Sequence, residues 1–364
     1  MKTYPLQSIS LEEATQKQFR MVSCITHHFT GYEQLSRGDL GVHQPENQPL
    51  TTRKAEEAIA EFFDSEAAIM VRGSGTGAIR YALSAVAKAG DRILIHDAPI
   101  YSTTKISFEM LGFDTVRANF NSTEEIRKIM KENPDLKAAL IQHSRQLLDD
   151  SYDLKEVITV IKEERDIPIV IDENYAVMKV GRIGCEMGAD LSCFSTFKLQ
   201  GPEGIGVVTG KKEYIDRIRK MHYSGGCQTQ GHEAMEVLRG LVTAPVLLAI
   251  QAQTNEELLQ RLKDNEIEEI RDVYIANSQS KVLLVEFKKE IAEEVLKNAE
   301  KLGALPNPVG AESKYEMAPM FYRASGTVRE KDPGIVKRLI RINPNRAGAD
   351  TVIEILRESI KRSL

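Results

Sequence analysis

The sequence predicts an α/β protein in which a mostly parallel sheet, covered by helices on both faces, precedes a smaller α/β domain. Apolar strand-like runs alternate with helical stretches across residues 67–218, as expected of a parallel sheet between two helical layers. Residues 167–171 are almost all apolar and β-branched, which is typical of a strand buried on both faces. After Pro245 the alternation changes character, and this change indicates the second domain.

This pattern predicts three segments: an arm (1–45), a large domain (46–245) and a small domain (246–364). The arm reads as irregular and is expected to lie over a partner. Within the domains, 204–208 reads as a strand that returns antiparallel, and 256–269 reads as a charged helix. A chain of 364 residues is long enough for both domains to bury a core.

Charge and composition narrow the class of protein. The net charge of −5 and the lack of an aromatic-basic pattern argue against nucleic acid as a partner. The sequence shows no signal-peptide core and no apolar run of membrane-spanning length, so we expect a cytoplasmic protein with no membrane partner. The four cysteines show no CxxC spacing, and no metal motif is evident.

Lys198 is the first candidate site residue. It follows the apolar run 191–194 and precedes the glycine-rich segment 201–206. Burial of an amine at a strand end favours its neutral, nucleophilic form, which a Schiff-base lysine requires. Taken alone, the residue fits a lysine that reaches for solvent better, and the three features below reverse that preference.

Asp172 is the second candidate, because it closes the buried run 167–171. The carboxyl ends of parallel strands are where such sheets bind ligands. A buried carboxylate needs a cationic partner, and a protonated pyridine nitrogen would serve. Asp172 could instead cap the following turn.

A glycine-rich segment, residues 73–78, lies between an apolar run and a helical stretch. Its glycines and the first amides of the helix predict a phosphate site. The same residues satisfy the GxGxxA dinucleotide fingerprint, with Asp97 at the end of the next strand, so NAD is the alternative ligand. Tyr101 could stack on a planar cofactor or simply fill space over the sheet edge.

The order of phosphate loop, aromatic residue, aspartate and lysine resembles that of pyridoxal-phosphate (PLP) enzymes of the aspartate aminotransferase fold, fold type I. It is most similar to the branch of cystathionine lyases and methionine γ-lyases. Three further segments carry the resemblance: 52–60, the stretch 225–243, and 339–343 near the C-terminus. The likeness covers roughly residues 50–350, and it implies a seven-stranded large-domain sheet.

The resemblance implies a role for each site residue. Lys198 would bind PLP as a Schiff base and carry the proton at the substrate Cα, Asp172 would pair with the pyridine nitrogen, and Tyr101 would cover the ring. The phosphate would be held by residues of the loop and of the strand before the lysine: Ser74, Gly75, Thr76 and Ser195.

Substrate binding is expected from two further residues. Arg341 would grip the substrate carboxylate through its planar fork, although an ordinary ion pair fits it equally well. Ser144 belongs to the segment Gln142–Arg145, which replaces the family's proline-asparagine loop. Phe197 stands where the family often has threonine, and the family's Tyr-x-Arg phosphate clamp has no clean copy in residues 32–49.

The expected function is therefore PLP-dependent elimination or replacement at an amino-acid side chain, of the Cys/Met-metabolism type. Transamination to a 2-keto acid is the enzymatic alternative. An NAD-dependent dehydrogenase and a non-catalytic PLP-binding protein are alternatives from other classes. The resemblance also implies a homodimer, or a dimer of dimers.

Overall fold

A computed structural model describes residues 2–45, 47–277 and 281–364. The chain forms two compact units. The large unit contains residues 12–144 and 151–245, and the small unit contains residues 1–11, 145–150 and 246–364.

The large unit is built on a seven-stranded sheet, in the spatial order β1-β7-β6-β5-β4-β2-β3. Its strands are β1 (Ala67–Arg72), β2 (Arg92–His96), β3 (Asp114–Ala118), β4 (Leu136–Gln142), β5 (Ile169–Asp172), β6 (Leu191–Ser195) and β7 (Ile205–Gly210). Its helices are α1 (Leu11–His28), α2 (Gly31–Gln34), α3 (Leu50–Phe62), α4 (Ser74–Val86), α5 (Ser102–Leu111), α6 (Thr123–Glu132), α7 (Leu154–Glu164) and α8 (Lys212–Met221).

The predicted mostly parallel sheet is confirmed. Strands β2 to β6 pair in parallel, whereas β7 is antiparallel to both β1 and β6, so the predicted returning strand is present. Alternate residues of β5 enter two separate cores: Val170 packs in the core with α4 and α8, and Ile169 and Ile171 pack in the core with α6 and α7. Both faces of the sheet are therefore covered, which explains the β-branched run in the sequence.

The N-terminal segment is not irregular, so that expectation was wrong. Residues 11–28 form the 18-residue helix α1, which buries Ala14, Met21, Cys24 and Ile25. Their spacing places them on one side of a helix, and the polar residues between them obscured this signal.

The small unit contains a four-stranded antiparallel sheet, in the order β10-β11-β9-β8. Its strands are β8 (Ile270–Ile275), β9 (Leu283–Phe287), β10 (Met320–Arg323) and β11 (Leu339–Asn343), and its helices are α10 (Ala292–Lys301), α11 (Gly326–Lys331) and α12 (Ala349–Lys361). This α/β unit confirms the predicted small C-terminal domain.

One long helix, α9 (Gly231–Lys263), spans 33 residues with Pro245 inside it. The helix predicted at 256–269 is the end of α9, which stops at Lys263. Within the described ranges, no helix is both long and apolar enough to cross a membrane.

Candidate active site

Lys198 lies just beyond the carboxyl end of β6, in the short 3-10 turn Phe197–Leu199. The Thr196 hydroxyl fixes the start of this turn by donating to the Ile205 carbonyl at 2.9 Å. The Thr196 carbonyl in turn accepts from the amide of Leu199 at 2.9 Å. The turn is thus anchored on both sides, and the partly buried lysine extends from a fixed backbone.

The amine of Lys198 contacts the segment that follows β5. Its Nζ lies 3.3 Å from Asn174 Oδ1 and 4.1 Å from the centroid of the Tyr175 ring. The second distance is that of a cation–π contact. Tyr175 has a φ of 70°, a left-handed conformation that is uncommon for a residue with a bulky side chain.

Asp172, the last residue of β5, is buried, with 7% of its surface exposed. Its Oδ1 accepts two hydrogen bonds from Asn174, at 3.0 Å from the backbone amide and 2.7 Å from Nδ2. Burial raises the pKa of Asp172, while the Asn174 hydrogen bonds and the charge of Lys198 act in the opposite direction. Within the described residues, Oδ2 accepts no hydrogen bond, so it is available to a cationic ligand.

The glycine-rich loop enters α4 through two residues in the left-handed conformation, Gly73 at φ 96° and Ser74 at φ 58°. The amides of both donate to the Gly204 carbonyl, at 2.8 and 3.0 Å. The next two amides, of Gly75 and Thr76, belong to the first helical turn and have no intrahelical acceptor. This helix end is therefore suited to an anion.

Two hydroxyl groups flank this helix end. Ser74 Oγ and Ser195 Oγ lie 2.6 Å apart, which brings the phosphate loop next to the end of β6. Thr76 Oγ1 donates instead to Thr103 Oγ1 at 3.3 Å. The loop predicted to bind phosphate and the strand that leads to the lysine are thus in direct contact.

These residues fit PLP. The cofactor needs donors for a phosphate, an acid for its ring nitrogen and an amine for its aldehyde. A methyl group at position 75 would lie 2.4 Å from Asn174 Oδ1, so the glycine-rich loop and the Asn174 side chain leave no room for a side chain between them. The glycine-rich loop, the Asp172 carboxylate and the Lys198 amine therefore all lie next to one side chain, that of Asn174.

The other predicted site residues have different surroundings. Ser144 is buried and donates to the Asn174 carbonyl at 3.3 Å. Tyr101 precedes α5 and is 42% exposed. Arg341, in the small unit, donates from Nε to the Arg323 carbonyl at 2.7 Å and lies 3.9 Å from the Tyr322 ring centroid. Their roles in binding stay predictions.

A buried histidine and a buried glutamate lie behind the end of β5. His143 belongs to the segment 142–145 that was expected to reach the pocket, whereas Glu173 was not identified from the sequence. His143 Nδ1 lies 2.7 Å from Glu173 Oε2, and Glu173 Oε1 accepts from the Gly184 amide at 2.6 Å and from Ser192 Oγ at 3.2 Å. The His143 amide also donates to the Asp172 carbonyl at 3.0 Å. This cluster fixes the backbone from which Asp172 extends.

Comparison with protein families shows which family the chain belongs to. The aminotransferase class-V family matches residues 12–293, which is most of the chain. The chain belongs to the aminotransferase class-V family. A second match, to the YhfS-like C-terminal domain, covers residues 256–356. The predicted fold and the predicted cofactor, PLP, are confirmed, and PLP is favoured over the dinucleotide that the loop could also accommodate.

Three known proteins are similar to this chain over different lengths. The uncharacterised protein YhfS of Escherichia coli (strain K12) is 52% identical over 361 residues, covering 99% of both chains. The crystal structure of YhfS, described as PLP-dependent, has a TM-score of 0.98 at 51% identity and 99% coverage of both chains. Apo CalE6, a methionine γ-lyase from Micromonospora echinospora, has a TM-score of 0.70 at 20% identity, covering 89% of this chain and 92% of its own, and it shows a shared fold. The cysteine desulfurase IscS of Dictyoglomus turgidum is 27% identical over 195 residues, covering 50% of this chain and 47% of its own.

Proposed function

We propose that this protein eliminates or replaces a side-chain group of an amino acid, through a Schiff base between PLP and Lys198. The observation that carries the proposal is that the Lys198 amine and the Asp172 carboxylate are both hydrogen-bonded to one amide, that of Asn174. An amine and an acid are the groups that PLP needs for its aldehyde and for its ring nitrogen. When bound, the cofactor supplies an electron sink for the substrate Cα.

Each remaining residue has one task in this proposal. Ser74 and Ser195 hydroxyls, with the amides of Gly75 and Thr76, hold the phosphate at the start of α4. Asp172 keeps the ring nitrogen protonated, because its Oδ2 is available and its burial disfavours an unpaired charge.

The remaining site residues contact the cofactor ring or the substrate in this proposal. Tyr101 covers the cofactor ring, while Arg341 and Ser144 bind the substrate. Lys198 holds and moves the proton at the substrate Cα.

A sulfur-containing amino acid is the proposed substrate. The named activities of the relatives support this choice, since one is a methionine γ-lyase and another a cysteine desulfurase. Transamination is the second candidate, supported by the class-V aminotransferase match to residues 12–293. The two reactions differ in their need for an acceptor, because a lyase releases ammonia and a keto acid whereas a transaminase requires a keto acid.

A substrate screen on the PLP-loaded protein separates these reactions. Cysteine, cystathionine, methionine and homocysteine are added singly, with and without a 2-keto acid, and ammonia, keto acid and sulfide are measured. If the reaction is an elimination, the proposal predicts keto acid and ammonia without an added 2-keto acid; if it is a replacement, it predicts exchange of the side-chain group with an added thiol. Turnover only with an acceptor would establish the transaminase, and spectral binding without turnover would establish a PLP-binding protein.

We also propose a homodimer that works in the cytoplasm. Within the large unit, three apolar side chains of one segment, Tyr32, Leu35 and Leu40, are 86%, 83% and 70% exposed. Apolar surface concentrated in one segment is typical of a protein interface. A concentration-independent monomer in analytical ultracentrifugation would refute the dimer.

A further inference from the structure

Asn174 has no catalytic or ligand-binding task in the proposed function, yet its side chain contacts four parts of the site. Nδ2 donates to Asp172 Oδ1 at 2.7 Å. Oδ1 accepts from the Ser195 amide at 3.1 Å and from Lys198 Nζ at 3.3 Å. The same amide group lies against Gly75, where an added Cβ would be 2.4 Å from Oδ1 and 2.7 Å from Nδ2.

The chemistry of these neighbours fixes the orientation of the amide. A backbone N–H and an amine can donate, so they require the oxygen, whereas the carboxylate of Asp172 accepts and requires the NH2 group. A flipped amide would set donor against donor and acceptor against acceptor. The Asn174 side chain therefore has one satisfied rotamer, and that rotamer links the lysine to the aspartate.

We propose that Asn174 is a positioning residue that holds the Lys198 amine and the Asp172 carboxylate at a fixed separation before the cofactor binds. The inference rests on the proposed function of Lys198 and Asp172. Because Asn174 occupies Asp172 Oδ1 with two donors, it directs the other oxygen, Oδ2, towards the ligand. Because Oδ1 of Asn174 accepts from the amine, it also sets the direction in which Lys198 points.

An aspartate at position 174 would have the same shape as asparagine, but it would carry a negative charge and would have no NH2 group to donate to Asp172. It would offer a carboxylate to the Lys198 amine, which stabilises the ammonium form, and it would place like charges next to Asp172. Alanine would remove both contacts. Tyr175 lies against the amine, and Lys179 Nζ lies 5.9 Å from the Tyr175 ring; both residues are unchanged in these variants.

The test measures the pH dependence of covalent adduct formation between the cofactor-free protein and PLP, followed by the absorbance of the adduct. Only the neutral amine attacks the aldehyde, so the midpoint reports the protonation of Lys198. We expect Asn174→Ala to lower the midpoint by about one pH unit and Asn174→Asp to raise it by about one. Both should weaken PLP binding by about tenfold or more.

Asn121→Asp is the matched control. Asn121 is also in the large unit, and its Oδ1 also accepts two hydrogen bonds, from the amides of Ser151 and Tyr152 at 2.7 and 3.0 Å. The exchange is chemically the same, and the midpoint should not move. Circular dichroism establishes that each variant is folded before it is titrated.

Three outcomes separate the inference from the function on which it rests. Shifts of opposite sign in the two Asn174 variants support the positioning role. Folded variants with the wild-type midpoint and wild-type PLP affinity overturn it. If the wild-type protein forms its adduct elsewhere than at Lys198, the proposed function fails first, whatever the Asn174 variants do.

Discussion

Gly75→Ala tests how closely the glycine-rich loop approaches the Asn174 side chain. The new methyl group would lie 2.4 Å from Oδ1, 2.7 Å from Nδ2 and 2.9 Å from Cγ of Asn174. All three distances are far below van der Waals contact, so the Asn174 side chain or the loop has to move. Overpacking of this kind costs about 1–3 kcal/mol of folding free energy.

Helix propensity alone predicts that Gly75→Ala stabilises the protein. Gly75 is the second residue of α4 (Ser74–Val86), and replacing glycine by alanine in a helix stabilises it by up to about 1 kcal/mol. A measured loss of stability therefore identifies the steric conflict. Since Asn174 would lose hydrogen bonds to charged neighbours, at about 1.5–3 kcal/mol each, PLP affinity should fall by about 10- to 100-fold.

The assay is urea unfolding together with a PLP titration followed by absorbance. Gly181→Ala is the matched control, because Gly181 lies in the same unit and an added Cβ there meets no atom within 4 Å. It should leave PLP affinity unchanged. Wild-type stability and wild-type PLP affinity in Gly75→Ala would show that the loop and the Asn174 side chain are not in close contact.

Four further predictions concern the amine, the acid, the thiols and the small unit. Lys198→Ala should keep the fold and lose the borohydride-reducible adduct, whereas Asp172→Ala should bind some PLP with almost no turnover. Burial raises the pKa of Cys24 to about 11 and of Cys185 to about 12, so iodoacetamide should label both slowly at pH 8 and rapidly in urea, as read by mass spectrometry. Glu316→Gln should destabilise the small unit by about 2 kcal/mol in urea unfolding, because Glu316 accepts from the amides of Val309, Gly310, Ala311 and Ser313.

The stability that Glu316 contributes to the protein depends on pH. Burial acts to raise the pKa of Glu316, but hydrogen bonds from Ser313 and the loop amides outweigh it and hold the pKa below its usual value. The stability that Glu316 contributes is therefore complete above its unfolded-state pKa of about 4.3 and is lost as the pH falls through the lower folded-state value. In Glu316→Gln this acid-dependent loss should be smaller than in the wild type.

Four results would contradict these expectations. An adduct of full yield in Lys198→Ala would place the reactive amine elsewhere, and full turnover in Asp172→Ala would remove the acid from its role. Fast labelling of Cys24 or Cys185 in the folded protein would show that their burial is overstated. Unchanged stability in Glu316→Gln would mean that the loop amides find other acceptors.

The fold could be predicted from the sequence because the strands carry a local signal. Residues 167–171 are β-branched except for Pro168, as expected for β5 (Ile169–Asp172), which is buried on both faces. Lys198 and Asp172 follow or close strands that the pattern already indicates. Helix α1 (Leu11–His28) was missed because its buried residues are few and separated by polar ones.

Asn174 could not be predicted in the same way. An asparagine two residues after a strand is an ordinary turn residue, and its contacts with Ser195, Lys198 and Gly75 depend on backbone from three different parts of the chain. The left-handed φ of 70° at Tyr175 has no sequence signal either, because tyrosine is uncommon there. Such residues are identified only when the elements are assembled.

Borohydride reduction of the PLP-loaded protein, followed by peptide mapping, identifies the amine that binds PLP. We expect a reduced PLP group on the side-chain nitrogen of Lys198, in the peptide that follows β6, with no label in Lys198→Ala. A stable label on another lysine, or PLP that leaves without labelling any residue, would contradict this assignment.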